Sequence, residues 1–477
     1  MNIWLRRFLL LFGSALAAIA FFVGRYAAAA GPVGTGYKAK IGCSAIFVSE
    51  RDPAVVQAED LVLGFPLEDR VTITVDRQAE SVTASFFGMA SQTAIHREGL
   101  GCTLLAGHSA ADLRAQQSRS TDLPTVQPTP GAPWPLGDAG VEGTPPEILQ
   151  EVDQAALQAA FDDAFSEPDP QRLRRTRAVA VAYRGHLVGE RYAPGYGPET
   201  ALMGWSMTKS LTNTLAGLAA AAGHLDVQAP ADAPEWQEDG DERAAITLDQ
   251  LLRMSSGLEF DETYAPGTNA TIMLFDAPNA AAFAADQPAI APPEEVWYYS
   301  SGTSNLVSRI VRHRLEAAGE DYLSYPRRAL FNPLGMTSAV IEPDASGTFV
   351  GSSFSYATAR DWARLGQLYL QDGVWNGERL LPEGWVTYTR APTPKAPKGR
   401  YGAHFWLNAG TSEDPSTRPW PELPADLFWM SGFEGQSVVI IPSRDVVIVR
   451  LGLSQRDSSW RLSSFLAAVL ESLPEAP

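Results

Sequence analysis

Seven prolines within residues 118–148 divide this 477-residue chain into two unequal parts. Proline fixes φ and has no backbone N–H, so this density predicts a linker that contains no regular helix or sheet. A chain of this length has room for two or three domains. We therefore predict a smaller region at 41–115 and a larger domain at 149–477. The prolines are Pro124, Pro128, Pro130, Pro133, Pro135, Pro145 and Pro146.

Residues 41–115 contain short segments in which apolar and polar side chains alternate. Two of them, 71–75 and 81–87, flank a polar turn and predict a β-hairpin. The region is therefore predicted to be a small, β-rich accessory region.

The larger domain begins and ends with hairpin patterns and has helical patterns between them. The predicted hairpins pair 178–183 with 187–192 and 437–441 with 446–451. Predicted helices cover 149–165, 210–222 with Gly223 as the stop, and 460–473. This order predicts an α+β fold in which helices flank an antiparallel sheet.

The N-terminal 30 residues have the pattern of a secretory signal. Arg6 and Arg7 precede an apolar run at 8–23, and small residues follow at 27–30. The alternative is an uncleaved anchor that tethers the protein to a membrane through residues 4–23. Either interpretation predicts export to a bacterial periplasm or cell envelope.

Composition limits the possible partners and cofactors. The net charge is −18 and no basic patch follows the first forty residues, which argues against nucleic-acid binding. Cys43 and Cys102 are the two cysteines, and in an oxidising compartment we expect them to form one disulfide. Because two cysteines and six scattered histidines offer no metal-ligand spacing, we predict no metal site and no cofactor.

One lysine stands apart from the rest. Lys209 is the only lysine between Lys40 and Lys395, and it follows Ser206 by three residues. On a helix this spacing places both side chains on one face. A buried lysine can lose its proton, which arginine cannot do in a protein, and can then activate a serine as a nucleophile.

Four segments together resemble the serine β-lactamase and penicillin-binding superfamily, in particular its class C-like and 6-aminohexanoate-dimer hydrolase branch. The resemblance covers roughly residues 150–475 and implies a β-lactamase/transpeptidase-like fold with a helical subdomain. The segments are Trp205-Ser206-Met207-Thr208-Lys209-Ser210, Leu251-Leu252-Arg253-Met254-Ser255-Ser256-Gly257-Leu258, Trp297-Tyr298-Tyr299-Ser300-Ser301-Gly302 and Ser431-Gly432-Phe433-Glu434-Gly435-Gln436.

The resemblance implies a role for each matching residue. Ser206 would attack a carbonyl and form an acyl-enzyme, and Lys209 would take or relay the serine proton. Tyr299 matches the family tyrosine that passes a proton to the leaving group. Whether Lys209 or Tyr299 is the formal base stays open. The backbone N–H groups of Ser206 and Phe433 would form the oxyanion hole.

The chain departs from the family pattern at two positions. Many relatives carry Tyr-x-Asn, but Ser301 stands at the third position here. Many also carry a cation that holds the substrate carboxylate on the last strand, where this chain has Met430. We therefore predict poor β-lactam hydrolysis and a better fit to small esters or amides of linear ω-amino acids.

Further residues are candidates for the substrate pocket, each with a plainer alternative. The acidic residues Glu259 and Asp261 would either bind a substrate amine or be exposed to solvent without a role. The tryptophans would either line the cleft or pack in the core. The candidates are Trp297, Ser301, Glu259, Tyr264, Trp406 and Trp429.

The predicted function is that of an exported serine hydrolase acting on a small-molecule or short peptide-like substrate. Two alternatives remain: a slowly acylated penicillin-binding-type sensor or scaffold protein, and a D,D-peptidase that acts on cell-wall peptides.

Overall fold

The computed structural model describes residues 12, 24, 30–62, 70–116, 125–411, 414–454 and 458–475. The predicted signal or anchor in residues 1–30, and with it nearly all of the 4–23 tether, lies outside the described residues. Across these described ranges no helix combines the length and apolar character needed to cross a membrane.

The helices of the described residues fall in all parts of the chain. The first, α1, is helical over 30–47. The others are α2 (Pro53–Glu59), α3 (Ala110–Ala115), α4 (Pro146–Glu151), α5 (Gln154–Phe165), α6 (Met207–Ala221), α7 (Leu248–Leu252), α8 (Asn269–Phe275), α9 (Ala280–Ala285), α10 (Ser301–Ala317), α11 (Asn332–Leu334), α12 (Ala359–Leu370), α13 (Trp385–Arg390) and α14 (Leu462–Glu471).

The longest strands lie near the two ends of the larger domain and in the N-terminal region, and shorter strands lie between them. They are β1 (Val71–Asp76), β2 (Ser81–Phe86), β3 (Met89–Arg97), β4 (Gly101–Leu104), β5 (Thr129–Pro133), β6 (Gly137–Ala139), β7 (Thr176–Tyr183), β8 (His186–Tyr192), β9 (Leu202–Met203), β10 (Val340–Ile341), β11 (Ser355–Ala357), β12 (Val374–Trp375), β13 (Glu378–Arg379), β14 (Trp406–Leu407), β15 (Phe428–Gly432), β16 (Gln436–Ile441) and β17 (Val446–Gly452).

The main sheet has six antiparallel strands in the order β14-β15-β16-β17-β7-β8. Both predicted hairpins, β7–β8 and β16–β17, are present, and β17 pairs with β7, so the two ends of the domain meet in the sheet centre. The predicted α+β fold with helices around an antiparallel sheet is confirmed.

Both faces of the sheet are buried because apolar residues occupy both sides of each central strand. In β17, Val447 and Val449 belong to a large core that also contains α6 and α12 residues. The alternating Val446 and Ile448 belong to a second core that contains α5 and α14 residues. The α6 helix, which carries the Ser206–Lys209 segment, thus lies on the large-core side.

The N-terminal region packs into the same large core. Its four strands form a sheet in the order β1-β2-β3-β4, which includes the predicted hairpin. A disulfide joins Cys43 on α1 to Cys102 on β4, as expected from the sequence. Lys40 forms a buried ion pair with Glu342 from the larger domain. The accessory region is therefore fixed to the domain by apolar packing and by a buried charge pair.

The proline-rich segment is more regular than its composition predicted. Strands β5 and β6 form a two-stranded parallel ribbon within residues 118–148, although we expected no regular structure there. Prolines are tolerated because the ribbon is an isolated edge pair, where a missing N–H breaks no interior ladder. Arg364 donates to the carbonyls of Pro135 and Gly137 and holds the ribbon on the domain.

Candidate active site

Ser206 stands at the start of α6, where its position is set by tight backbone contacts. It is the N-cap residue of the helix, and Trp205 before it has a φ of 49°. A Cβ atom on Gly432, at the end of β15, would lie 2.1 Å from the carbonyl oxygen of Gly204. Strand β15 therefore ends directly against the chain that leads into Ser206, which brings Phe433 near it.

Lys209 lies one turn further along α6 and is 1% exposed. Its Nζ is 3.0 Å from Ser206 Oγ, 3.0 Å from Ser301 Oγ and 3.1 Å from the carbonyl oxygen of Ser352. Burial lowers the pKa of Lys209 to about 8, against the opposing effect of the negative charge on Glu262. Lys209 is thus held close to the serine and gives up its proton near neutral pH.

Glu262 is a site residue that the sequence did not single out, although Glu259 and Asp261 from the same segment were considered. Its carboxylate accepts hydrogen bonds from the Ser301 N–H at 2.7 Å and the Ser301 Oγ at 2.6 Å. Burial raises the pKa of Glu262, while the charge of Lys209 works in the other direction. The sequence signal for Glu262 was Ser301, which stands where the family has asparagine. A serine hydroxyl that accepts a hydrogen bond from Lys209 still has its own proton to donate, and it therefore needs a second polar partner.

Tyr299 completes the contacts of the serine. The Lys209 Nζ lies 4.8 Å from the centre of its ring, and an interaction with Ser206 acts to lower the pKa of its hydroxyl. Burial, with Tyr401 and Glu262 nearby, raises the pKa of Tyr299 well above its ordinary value. The phenol is therefore protonated at neutral pH and can donate a proton.

The loop that carries Phe433 is braced against the residue before Ser206. The Phe433 ring stacks parallel to Tyr264 at 5.1 Å and meets Trp205 edge-on at 5.5 Å. Trp205 Nε1 donates to Glu434 at 3.1 Å, and burial raises the pKa of that carboxyl to about 7. These contacts hold the backbone of Phe433 in a constant position relative to Ser206.

An aromatic wall surrounds Tyr299. We use this name for Trp297, Tyr299, Tyr401 and Trp406, whose rings contact one another with centroid distances of 5.1–6.4 Å. Trp297 and Trp406 are half-buried, so the wall is open on one side. Of the predicted pocket residues, Trp297 and Trp406 thus belong to the wall, Ser301 contacts Lys209, and Tyr264 contacts Trp205 and Phe433.

Trp429 and Glu259 are the other two predicted pocket residues. Trp429 is buried in the second core, where it stacks on Trp420 at 4.5 Å and on Trp406, its neighbour across the β14–β15 pair, at 6.2 Å. Its side chain faces that core because side chains alternate along β15 and its neighbour Met430 faces the large core. Glu259 is exposed to solvent, and its backbone N–H donates to the carbonyl of Pro288. Of the alternatives that the sequence left open, packing describes Trp429 and solvation describes Glu259.

His404 supports the site from behind. Its Nδ1 is 2.9 Å from the Lys209 carbonyl oxygen and its Nε2 is 3.1 Å from Ser304 Oγ. Burial and the nearby Lys209 charge lower its pKa to about 3, so the ring is neutral. It therefore links α6 to α10, a role that only the folded chain makes visible.

The arrangement is suited to acyl transfer. A hydroxyl at a helix N-terminus contacts a buried amine of lowered pKa, and a protonated phenol lies beside that amine. Within the described part of the chain, no group of three or more His, Cys, Asp or Glu residues is placed to hold a metal ion.

Comparison with known proteins agrees with this geometry. Residues 161–460 match the family model described as beta-lactamase. A 6-aminohexanoate-dimer hydrolase from Paenarthrobacter ureafaciens is 25% identical over 345 residues, which cover 66% of this chain and 80% of that protein.

Solved structures share the fold at lower identity. A protein from Bacillus anthracis, with a proposed assignment as a 6-aminohexanoate-dimer hydrolase, is 23% identical with a TM-score of 0.53 over 67% of this chain and 83% of its own. A penicillin-binding protein homologue from Caulobacter crescentus is 20% identical with a TM-score of 0.50 over 67% of this chain and 97% of its own. The chain is a serine hydrolase that belongs to the beta-lactamase family.

Proposed function

We propose that the protein hydrolyses small esters or linear amides through an acyl-enzyme on Ser206. The observation that carries the proposal is the 3.0 Å contact between Lys209 Nζ and Ser206 Oγ, with Lys209 buried and bonded to Ser301. A lysine held this way is positioned to accept the serine proton.

In the proposed reaction, neutral Lys209 takes the proton of Ser206 while Oγ attacks the substrate carbonyl. With a pKa of about 8, about one-tenth of Lys209 is neutral at pH 7. The N–H groups of Ser206 and Phe433 stabilise the oxyanion. The carbonyl–leaving-group bond then breaks, Lys209 and Tyr299 return the proton to the leaving group, and water releases the acid by the reverse sequence.

Linear amides of ω-amino acids are the proposed substrate class. The name of the Paenarthrobacter relative supports this choice, as it refers to the 6-aminohexanoate dimer. The aromatic wall offers an apolar surface along which a methylene chain can lie. Met430 is fully buried and uncharged, so this position offers no cation to a β-lactam carboxylate.

We also propose that the protein is exported. The charged and apolar pattern of residues 1–30 and a disulfide between Cys43 and Cys102 support an oxidising compartment. Fusing residues 1–45 to alkaline phosphatase in a bacterial host tests this. Phosphatase activity is expected, and activity equal to a leaderless control would refute export.

Labelling with a fluorophosphonate probe, followed by substrate turnover, tests the hydrolase proposal. The wild type is expected to be labelled and to cleave p-nitrophenyl esters and the linear 6-aminohexanoate dimer, and Ser206→Ala to do neither. A stable adduct without turnover would favour the sensor protein, and release of terminal D-Ala from cell-wall peptides would favour the D,D-peptidase. A fully active Ser206→Ala variant would refute all three.

A further inference from the structure

Arg400 lies on the aromatic wall, one ring beyond Tyr299. Its guanidinium carbon is 5.2 Å from the centre of the Trp297 ring and 5.6 Å from that of Trp406. The Trp406 ring is in turn 5.3 Å from that of Tyr299. A cation therefore stands at the end of the wall, where the Trp406 ring connects it to Tyr299.

The charge on Arg400 is not neutralised by the protein. Among the residues that the structure describes, no carboxylate lies within 4.0 Å of it, and its Nε is buried without a hydrogen-bond partner. The same loop carries Lys395 and Lys398, two of the chain's five lysines, so the rim beside the wall is locally basic.

The loop is held in place, which keeps Arg400 on the wall. A Cβ atom on Gly399 would lie 1.7 Å from the carbonyl oxygen of Gly410. The carbonyl of Arg400 also accepts a 2.8 Å hydrogen bond from the Leu407 N–H on β14. A guanidinium fixed in this way loses little freedom when an anion binds.

Because Tyr299 is the proposed proton donor to the leaving group, the wall that contains it is assigned to the leaving-group side of the serine. Tyr299, the proton donor to the leaving group, is part of the wall, whereas the oxyanion N–H of Phe433 lies on the side of Trp205 and Tyr264. A group that extends past Tyr299 along Trp406 thus belongs to the part of the substrate that leaves.

We propose that Arg400 binds a terminal carboxylate on the leaving-group portion of the substrate. The inference rests on the proposed hydrolysis at Ser206 and narrows the substrate class to amides of ω-amino acids with a free carboxyl end. Many relatives bind the substrate carboxylate with a cation on the last strand. In this chain Arg400 would bind it instead, at a greater distance from the scissile bond and at the end of a flexible chain.

The test compares the linear 6-aminohexanoate dimer with the same compound ending in a carboxamide. In the wild type, kcat/KM is expected to be at least about 10-fold higher for the carboxylate, as for one charge-assisted contact. In Arg400→Gln the preference is expected to disappear because KM for the carboxylate substrate rises. Equal preference in the wild type and Arg400→Gln would overturn the proposal.

Lys398→Gln removes one charge from the same loop and is the matched control. It is expected to keep the carboxylate preference within about threefold, because its side chain is exposed and off the wall. A loss equal to that of Arg400→Gln would show a general field effect and refute a specific site.

A second readout separates this inference from the proposed function. N-acetyl-6-aminohexanoate is expected to inhibit p-nitrophenyl acetate hydrolysis by the wild type at least about 10-fold more strongly than its carboxamide does. With Arg400→Gln this difference between the two inhibitors is expected to be absent. Selective inhibition with no amide cleavage would refute the amide substrate and leave Arg400 as a carboxylate site. Amide cleavage with no selective inhibition would support the amide substrate and refute Arg400 as a carboxylate site.

Discussion

Lys209 and Glu262 are joined through a single hydroxyl, that of Ser301. Ser301 Oγ accepts from Lys209 Nζ at 3.0 Å and donates to Glu262 Oε1 at 2.6 Å. The carboxylate therefore positions the lysine and raises its pKa without touching it. In this chain the serine and the glutamate together take the place of the asparagine found in many relatives.

Replacing Glu262 with Gln is expected to move the acidic limb of the pH profile of kcat/KM. In the wild type this limb should have a midpoint at about 8, where Lys209 loses its proton. The negative charge of Glu262 raises the pKa of Lys209, so its removal lowers that pKa and shifts the limb to lower pH. Glu259→Gln, an exposed neighbour, is the control and should not move it. If the acidic limb of the Glu262→Gln profile has the wild-type midpoint, Glu262 does not control the pKa of Lys209.

Lys209→Arg keeps the positive charge but removes the proton acceptor. Because arginine stays protonated in proteins, kcat/KM for a p-nitrophenyl ester is expected to fall by about 10²–10⁴. In Lys209→Met, kcat/KM for the same ester should fall by a similar factor. Thermal melting of each variant shows whether it is folded. An arginine variant within tenfold of the wild type would rule out Lys209 as the base.

Nitrocefin is expected to be a poor substrate. Met430 offers no charge to the carboxylate of a β-lactam, and the loss of such a contact costs about 3 kcal/mol or about 100-fold in kcat/KM. Turnover equal to that of a dedicated class C β-lactamase would disprove the prediction.

The disulfide is expected to stabilise the whole structure. It joins residues 59 apart in sequence, and closing a loop of that length in the unfolded chain corresponds to about 4 kcal/mol. The variant with Cys43→Ser and Cys102→Ser should lose about that amount in urea unfolding. A reductant should lower the stability of the wild type and leave the variant unaffected; equal stability of variant and wild type would contradict this.

Lys40→Met is expected to destabilise the protein by about 3–5 kcal/mol. Lys40 and Glu342 have side-chain exposures of 2% and 0%, so the variant leaves a buried carboxylate without its cation. Urea unfolding measures the loss. Lys398→Met, on an exposed lysine, should change stability by less than about 0.5 kcal/mol. A loss below about 1 kcal/mol for Lys40→Met would show that the ion pair contributes little.

The sequence by itself determined the features that depend on short spacing. Ser206 and Lys209 share a helix face because helical geometry relates residues three apart, and the β7–β8 and β16–β17 hairpins follow from alternation across short turns. The pairing of Cys43 with Cys102 needed no further choice, since no other cysteine is present.

Only the tertiary structure decided the contacts between distant segments. Glu262 approaches Ser301 across 39 residues and Lys40 approaches Glu342 across 302, and nothing local in the sequence specifies either pair. The same holds for Trp429, which the alternation of β15 turns into the second core, and for Arg400, whose place on the wall depends on the packing of its loop. Local patterns set each element, whereas burial in a shared core sets which polar groups meet.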